Sequence, residues 1–207
     1  MKFHYLYLLL ALLFTGCAQL PDTELQQNSS WDEQQTKLEQ LTHWSLTGKL
    51  AVITPDERNS VNIHWQQSDQ DFHIHLSTFL GLSVLDIQKS DDVTTIIDAD
   101  GNHYTSTDSE QLINELSGMV LPIEYLQQWI KGNPSGASYQ LDDNQQVLTL
   151  LGGDRSNGIW SITYSDYQTV NNTNLPRKLQ LIRDELRLKI AISKWQVDNN
   201  FKFNIEN

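Results

Sequence analysis

The chain has 207 residues, with 26 acidic and 14 basic side chains and a formal net charge of −12 at pH 7. This length suits one domain with a hydrophobic core and at most a short tail. The acidic balance excludes a general nucleic-acid-binding protein and predicts repulsion from anionic lipid surfaces, while a single cysteine excludes disulfides within the chain and thiolate metal clusters.

The first residues have the layout of a bacterial export signal. Lys2 gives a basic start, an apolar run follows over residues 6–14, and Gly16 directly precedes Cys17. The run is far shorter than the roughly 20 apolar residues that span a bilayer as a helix. This arrangement resembles the lipobox of bacterial lipoproteins, in which the cysteine is acylated and the signal (residues 1–16) is removed. The alternative is an ordinary secretory signal that carries a chance cysteine.

Residues 17–29 are polar and predict a flexible tether that starts at the acylated cysteine. In lipoproteins of this kind, an Asp after the cysteine causes retention in the inner membrane. Ala18 stands there instead, so the resemblance implies anchoring in the outer membrane on its periplasmic side. Residues 30–207 are predicted to form a single domain. Its first helix begins at Ser30, three residues before Glu33, as in a capping box.

From residue 45 onward, apolar residues alternate with polar ones, which is the period of a β-strand with one buried face. In the first hairpins Trp65, Phe72 and Ile74 fall on the apolar face. Polar turns separate the strands, and the alternating segments are residues 45–54, 61–66, 72–76, 83–89, 93–99, 102–105, 145–151, 160–164, 176–182 and 186–193.

Two further amphipathic helices interrupt the strands. The first is predicted to begin at Thr107, in a second capping box with Glu110, and to end at Gly118. The second follows Pro122, which fits the first turn of a helix, and it ends by Gly132. Their apolar stripes consist of Leu112, Ile113 and Leu116 in the first, and of Ile123, Leu126, Trp129 and Ile130 in the second.

About eleven antiparallel strands in one small domain are expected to curl toward a barrel. A barrel of that size encloses more space than strand side chains fill, so the three short helices suit a position that covers or plugs it. The predicted fold is mainly β, with helices over an apolar cavity. The side chains expected to line the cavity or its lid are Trp65, Phe72, Ile74, Leu116, Ile123, Leu126, Trp129 and Ile130.

Candidate catalytic or metal-binding groups are sparse in the sequence. His73 and His75 share one strand face and His64 lies on the neighbouring strand, but no carboxylate or cysteine completes a ligand set at a recognisable spacing. A solvated polar face is the favoured interpretation of these histidines. No nucleophile elbow or phosphate-binding loop is visible, so we expect neither an enzyme, nor a cofactor, nor a metal.

An apolar turn joins two of the predicted strands at residues 77–83, although turns are normally polar. Phe79, Leu80 and Leu82 surround Gly81 in this turn. One interpretation is that the tip folds back onto the core. The other is that it stays exposed and enters a bilayer or meets an acyl chain. Burial of one leucine there contributes roughly 1.5–3 kcal/mol, which suits a reversible contact.

Four segments resemble the LolB family of outer-membrane lipoprotein receptors, and the resemblance covers nearly the whole chain after the signal. The most specific segment carries a proline, a Trp-Ile pair and a Gly-x-Pro. Many members have Pro before the leucine of the turn, where this chain has Phe79. The four segments are Trp65-Gln66-Gln67 with the following Asp71-Phe72 strand, the Leu80-Gly81 turn, residues 116–134 (LSGMVLPIEYLQQWIKGNP) and residues 139–143 (YQLDD).

The resemblance implies a half-open, strongly curved and incomplete antiparallel barrel whose helices form a lid over an apolar cavity. It also implies a receptor that accepts lipoproteins from the periplasmic carrier LolA and delivers them into the inner leaflet of the outer membrane, and we expect a monomer. Its partners would be LolA, the acyl chains of cargo lipoproteins and outer-membrane phospholipids. The family's protruding leucine, associated with insertion of the cargo, corresponds to Leu80. The alternative of another class is an anchored lipid- or ligand-binding module without a carrier partner.

Overall fold

The computed structural model describes residues 30–155 and 158–197, so the predicted signal, Cys17 and the predicted tether lie outside the described residues. The helices are α1 (Trp31–Gln40), α2 (Ser109–Ser117) and α3 (Ile123–Trp129). The strands are β1 (His43–Ile53), β2 (Arg58–Ser68), β3 (Asp71–Ser77), β4 (Ser83–Ser90), β5 (Val93–Asp98), β6 (His103–Ser106), β7 (Ser138–Leu141), β8 (Val147–Asp154), β9 (Gly158–Val170), β10 (Thr173–Arg183) and β11 (Leu186–Val197).

All eleven strands belong to one antiparallel sheet in the order β6-β5-β4-β3-β2-β1-β11-β10-β9-β8-β7. Strands that follow each other in sequence pair with each other on either side of the centre, and β1 pairs with β11 between the two halves. The sheet therefore consists of two meanders that meet in its middle. Its two edge strands, β6 and β7, do not pair with each other in the described residues, which confirms the predicted incomplete barrel of about eleven strands with three helices.

A cluster of tryptophans forms the centre of the core. Trp44 contacts Trp65 of β2 and Trp195 of β11, with ring centroids 5.4 Å apart in both pairs. Each of the two outer rings has a partner for its indole N–H. Trp65 donates to the side-chain oxygen of Gln67 (3.2 Å), and Trp195 donates to the carbonyl of Pro176 (2.8 Å). Large apolar area is thus buried without leaving these donors unpaired.

The helix boundaries follow the predicted caps with one correction. Ser30 caps α1, and Gly118 ends α2 in the left-handed conformation with φ = 68°, as predicted. The cap of α2 is Asp108, whose carboxylate accepts a hydrogen bond from the backbone N–H of Gln111 (2.9 Å), and not Thr107. Aspartate is a better N-cap than threonine, and its charge also interacts favourably with the helix N-terminus.

One strand extends beyond the predicted segment 145–151. Residues 152–154 continue β8, where Gly152 lies opposite Trp160 of β9. A Cβ atom added to Gly152 would lie 2.7 Å from side-chain atoms of both Trp129 and Ala137. The glycine is therefore needed because α3 approaches the sheet closely at this point, and not because the chain turns there.

We expect Gly152→Ala to lower the free energy of unfolding by roughly 1–3 kcal/mol, because the new methyl group overpacks against Trp129. Urea denaturation followed by tryptophan fluorescence measures this change. Ser161→Ala, on the exposed face of neighbouring β9, is the control and should change stability by less than about 0.5 kcal/mol. Equal stability of the two variants would contradict the role given to Gly152.

Candidate functional site

Thr78 closes a compact loop between β3 and β4, which we call the tip loop (residues 78–82). Its N–H donates to the carbonyl of Leu82 (2.8 Å), and its carbonyl accepts from the N–H of Gly81 (3.0 Å). Its hydroxyl also accepts from the N–H of Leu82 (3.2 Å). Gly81 has φ = 84°, a conformation that favours glycine. The loop is thus shaped by its own polar groups and not by burial of its side chains.

The apolar side chains of the tip loop are directed into solvent. Phe79, Leu80 and Leu82 are 85%, 72% and 66% exposed. The interpretation in which the tip folds back onto the core is therefore wrong, and the exposed tip is the one observed. Three adjacent exposed apolar side chains on a polar protein indicate a contact surface.

Seven of the eight predicted cavity residues lie together in the core, where the helices meet the inner face of the sheet. The eighth, Leu116, is 36% exposed at the end of α2, because that helix buries Leu112 and Ile113 instead. The helices therefore plug the concave side of the sheet with their own side chains. The seven are Trp65, Phe72, Ile74, Ile123, Leu126, Trp129 and Ile130.

A buried hydrogen bond fixes the end of α3 to the sheet. The hydroxyl of Tyr164, on β9, donates to the carbonyl oxygen of Trp129 at 2.8 Å. Burial raises the pKa of Tyr164, so the hydroxyl remains a donor at every physiological pH. The same carbonyl oxygen also accepts from the backbone N–H of Gly132 (2.9 Å), just after the helix. The ring of Trp129 also stacks on Tyr125, with centroids 5.2 Å apart.

Lys131, just after α3, is a buried cation. Its side chain is 1% exposed, and its Nζ donates to the carbonyl oxygen of Leu41 at 2.7 Å. Burial lowers the pKa of Lys131 from 10.5 to about 8, which the charge of Glu39 only partly offsets. The lysine thus connects the end of α3 to the segment between α1 and β1 at a cost in stability.

An amide pair holds α1 against the sheet. The side chain of Gln34 donates to the backbone carbonyl of Asn174 (2.7 Å) and accepts from its backbone N–H (3.2 Å). This pair reproduces the exchange of hydrogen bonds between neighbouring strands. Trp31 donates from its indole N–H to the hydroxyl of Tyr139 (2.9 Å). α1 is therefore attached to β10 and to the edge strand β7.

The histidines noted in the sequence pair with a carboxylate. His73 and His75 both contact Asp86 of β4, at 2.9 and 2.8 Å. Burial raises the pKa of Asp86, but the hydrogen bonds from the two histidines outweigh it, so the pKa lies below its usual value. Burial and the nearby His73 lower the pKa of His64. Within residues 30–155 and 158–197, no group of three or more side chains that could hold a metal ion is found.

Sequence reasoning missed the polar residues that position the helices. Lys131 and Leu41 are 90 residues apart, and Gln34 and Asn174 are 140 residues apart. The only sequence signal for Lys131 was its position directly after Ile130, the last residue of the apolar stripe of α3.

Comparison with known proteins identifies relatives over most of the chain. The family model described as "Outer membrane lipoprotein LolB" matches residues 42–195. An outer-membrane lipoprotein LolB from Psychromonas ingrahamii is 48% identical over 187 residues, which cover 90% of this chain and 92% of the relative. One from Tolumonas auensis is 34% identical over 197 residues, which cover 94% and 96%.

Solved structures of low sequence identity share the fold. A LolA superfamily protein from Nitrosomonas europaea superposes with a TM-score of 0.55 at 8% identity, covering 82% of this chain and 94% of that one. A DUF1329 family protein from Desulfovibrio piger gives a TM-score of 0.57 at 7% identity, covering 83% and 93%. Among the described residues, no helix is both long and apolar enough to span a membrane.

We expect stability to rise with pH above about pH 8 because of Lys131. The folded protein releases this proton near pH 8 whereas the unfolded chain holds it to about 10.5. The free energy of unfolding should therefore increase by about 1–2 kcal/mol between pH 8 and roughly pH 9.5, which lies below the ordinary tyrosine pKa. Urea denaturation at both pH values measures the increase.

Lys131→Met should remove this increase, because the variant has no proton to release at that site. Lys37→Met on α1 is the matched control and should retain it, since Lys37 is partly exposed. An increase of the same size in both variants would assign the pH dependence to other groups.

Proposed function

Since this chain belongs to the LolB family of outer-membrane lipoproteins, we propose that it receives lipoproteins from the soluble periplasmic carrier LolA and inserts them into the inner leaflet of the outer membrane. The observation that carries the proposal is the tip loop, whose three apolar side chains are the most exposed large apolar side chains among the described residues. The second support is an apolar interior shared between a curved sheet and three helices.

In this proposal, each transfer step lowers the free energy of the cargo because its acyl chains become better buried in apolar surroundings. The acyl chains of the cargo leave the carrier, replace helix side chains against the inner face of the sheet, and then enter the bilayer. Each CH₂ group contributes about 0.8 kcal/mol when it leaves water, so small differences between the three environments are multiplied along a chain. The site needs no catalytic group for this step, and the chain is not an enzyme.

The tip loop has the properties that the last step requires. Phe79, Leu80 and Leu82 extend from a loop closed by Thr78, so their insertion into a bilayer leaves the core intact. Insertion of one such side chain contributes about 1.5–3 kcal/mol. That free energy opens a path between the interior of the domain and the bilayer, and it is small enough for the contact to end after delivery.

The anchor has a simpler role in the proposal. Cys17 is acylated, and residues 17–29 hold the domain within reach of the outer membrane; both lie outside the described residues. Two or more acyl chains make such an anchor almost permanent. The anchor thereby determines which membrane receives the cargo, whereas the interior binds the acyl chains and the tip loop inserts into the bilayer.

We expect Leu80→Glu to leave folding and cargo binding intact but to stop delivery, because a carboxylate at the tip opposes entry into the bilayer. The measurement is transfer of a labelled lipoprotein from LolA to liposomes. Leu148→Glu is the matched control, since Leu148 is another exposed leucine (44%) far from the tip in sequence. Normal delivery by the Leu80 variant would refute the role of the loop.

We expect a soluble form with Cys17 replaced, exported by an ordinary secretory signal, still to accept cargo from LolA. It should deliver that cargo with less discrimination between inner- and outer-membrane vesicles. Co-purification of cargo and of carrier with the soluble form tests the first point, and delivery of labelled cargo to inner- and outer-membrane vesicles tests the second. Failure to bind any cargo would show that the anchor takes part in binding, and cargo binding without carrier contact would support a simple lipid-binding module.

A further inference from the structure

Charge is distributed unevenly over this acidic chain. The four central strands β1, β2, β10 and β11 contain no Asp or Glu, although the chain has 26 acidic residues. The repulsion from anionic lipid predicted from net charge therefore does not apply to every surface. The side of these strands opposite the core carries seven exposed cations, which we call the outer basic face: Lys49, Arg58, Arg177, Lys178, Arg187, Lys189 and Lys194.

The register of the strands sets the spacing of these cations. Lys49 lies opposite Ala191, and Ala191 lies opposite Lys178 on the next strand. Neighbouring strands are about 4.8 Å apart, so the two lysines are separated by roughly 10 Å across the sheet. Lys189 is diagonal to Lys49, at about 7–8 Å. The cations are therefore spread over a surface and do not converge on one point.

Most of this charge is not neutralised by carboxylates. Asp166 forms ion pairs with Lys178 (3.1 Å) and Arg177 (3.8 Å). Among the described residues, Lys49, Arg58 and Lys189 have no carboxylate within the 4 Å of an ion pair. Next to the four strands, other acids lie in the turns at the strand ends, which carry Asp56, Glu57, Asp69, Asp184 and Glu185. Asp86 of β4 contacts His75 at the border of this face, at 2.8 Å.

The outer basic face is grooved, and the groove reaches the tip loop. A shallow groove of about 550 Å³ is bounded by Lys49 and Lys178 in the centre and by Asn62 and Ser77 toward β3. The side-chain amide of Asn62 donates to the carbonyl of Thr78, the first residue of the tip loop, at 2.9 Å. A second groove of about 470 Å³ adjoins it along Arg58 and Lys189.

We infer that the outer basic face binds the anionic headgroups of a phospholipid bilayer, beside the tip loop that enters it. The face is broad and shallow, which suits a planar array of negative charges, and its cations border apolar side chains suited to the bilayer interior. Each cation near such a surface strengthens binding by roughly fivefold. The inference rests on the proposed function, whose anchor keeps the domain at high effective concentration near the bilayer.

The test uses the full acylated protein in vesicles, without cargo or carrier. A fluorophore is attached at Ser60→Cys, an exposed position on the outer basic face, because the acylated Cys17 offers no thiol. Quenching by a headgroup-linked nitroxide lipid then reports contact of this face with the bilayer. We expect several-fold greater quenching in vesicles that contain phosphatidylglycerol than in vesicles of phosphatidylcholine alone. Salt of about 1 M should remove the difference, since the Debye length falls to about 3 Å.

Lys49→Glu combined with Lys189→Glu should reduce quenching in phosphatidylglycerol vesicles to the phosphatidylcholine level. Lys37→Glu combined with Arg155→Glu changes the net charge equally, away from the four strands, and should leave quenching unchanged. If the charge reversals disturb folding by circular dichroism, Lys49→Gln with Lys189→Gln replaces them, with at least half of the effect expected.

Equal quenching in the two kinds of vesicle, or equal loss in the test and control pairs, would overturn the inference. Either result leaves the transfer proposal standing, because no cargo moves in this experiment. Conversely, normal delivery by the Leu80→Glu variant would refute the role of the tip loop in transfer but would not alter the quenching result, since Leu80 is unchanged in the quenching experiment.

Discussion

The architecture depends on a sheet that curls without closing. Eleven strands present one apolar face, their outer edges do not meet in the described residues, and three helices cover the concave side. The covering material is made of ordinary side chains such as Trp129 and Leu126. Acyl chains and these side chains have the same apolar character, so exchanging one for the other changes the free energy far less than exposing either to water. In the proposed transfer, the acyl chains of the cargo replace these side chains.

Polar contacts fix the position of the helices on the sheet. Tyr164 holds the end of α3, Gln34 pairs with the backbone of β10, and Lys131 joins α3 to the start of β1. The lysine is the costly member of the set. A pKa depressed from 10.5 to about 8 corresponds to roughly 3 kcal/mol of lost stability at neutral pH. The position of the helices is thus fixed by contacts of which one, at Lys131, has a cost in stability.

The sequence predicts the sheet well because alternation is a local property. Residues 186–192 alternate strictly, and the tip loop is recognisable because apolar residues are unusual in a turn. β7 escapes prediction because it has four residues, three of them exposed, and no alternation. The role of Gly152 was not predicted because it depends on the packing of α3 against the sheet. The role of Lys131 was not predicted because its partner, Leu41, is 90 residues away in sequence. The basic outer face of the central strands was not predicted because net charge is a sum over the whole chain and does not show where the charges lie.

The pairing of β1 with β11 has a consequence for how the protein folds. Each of the two meanders forms from neighbouring segments, but the centre of the sheet joins Leu46 to Trp195, near opposite ends of the described chain. Contacts between such distant residues form slowly, because a long loop must close before they contribute. The edge of β1 that pairs with β11 therefore stays unpaired until β11 has crossed the inner membrane, and an unpaired strand edge is prone to aggregation. A chain of this topology depends on protection from aggregation throughout its own export.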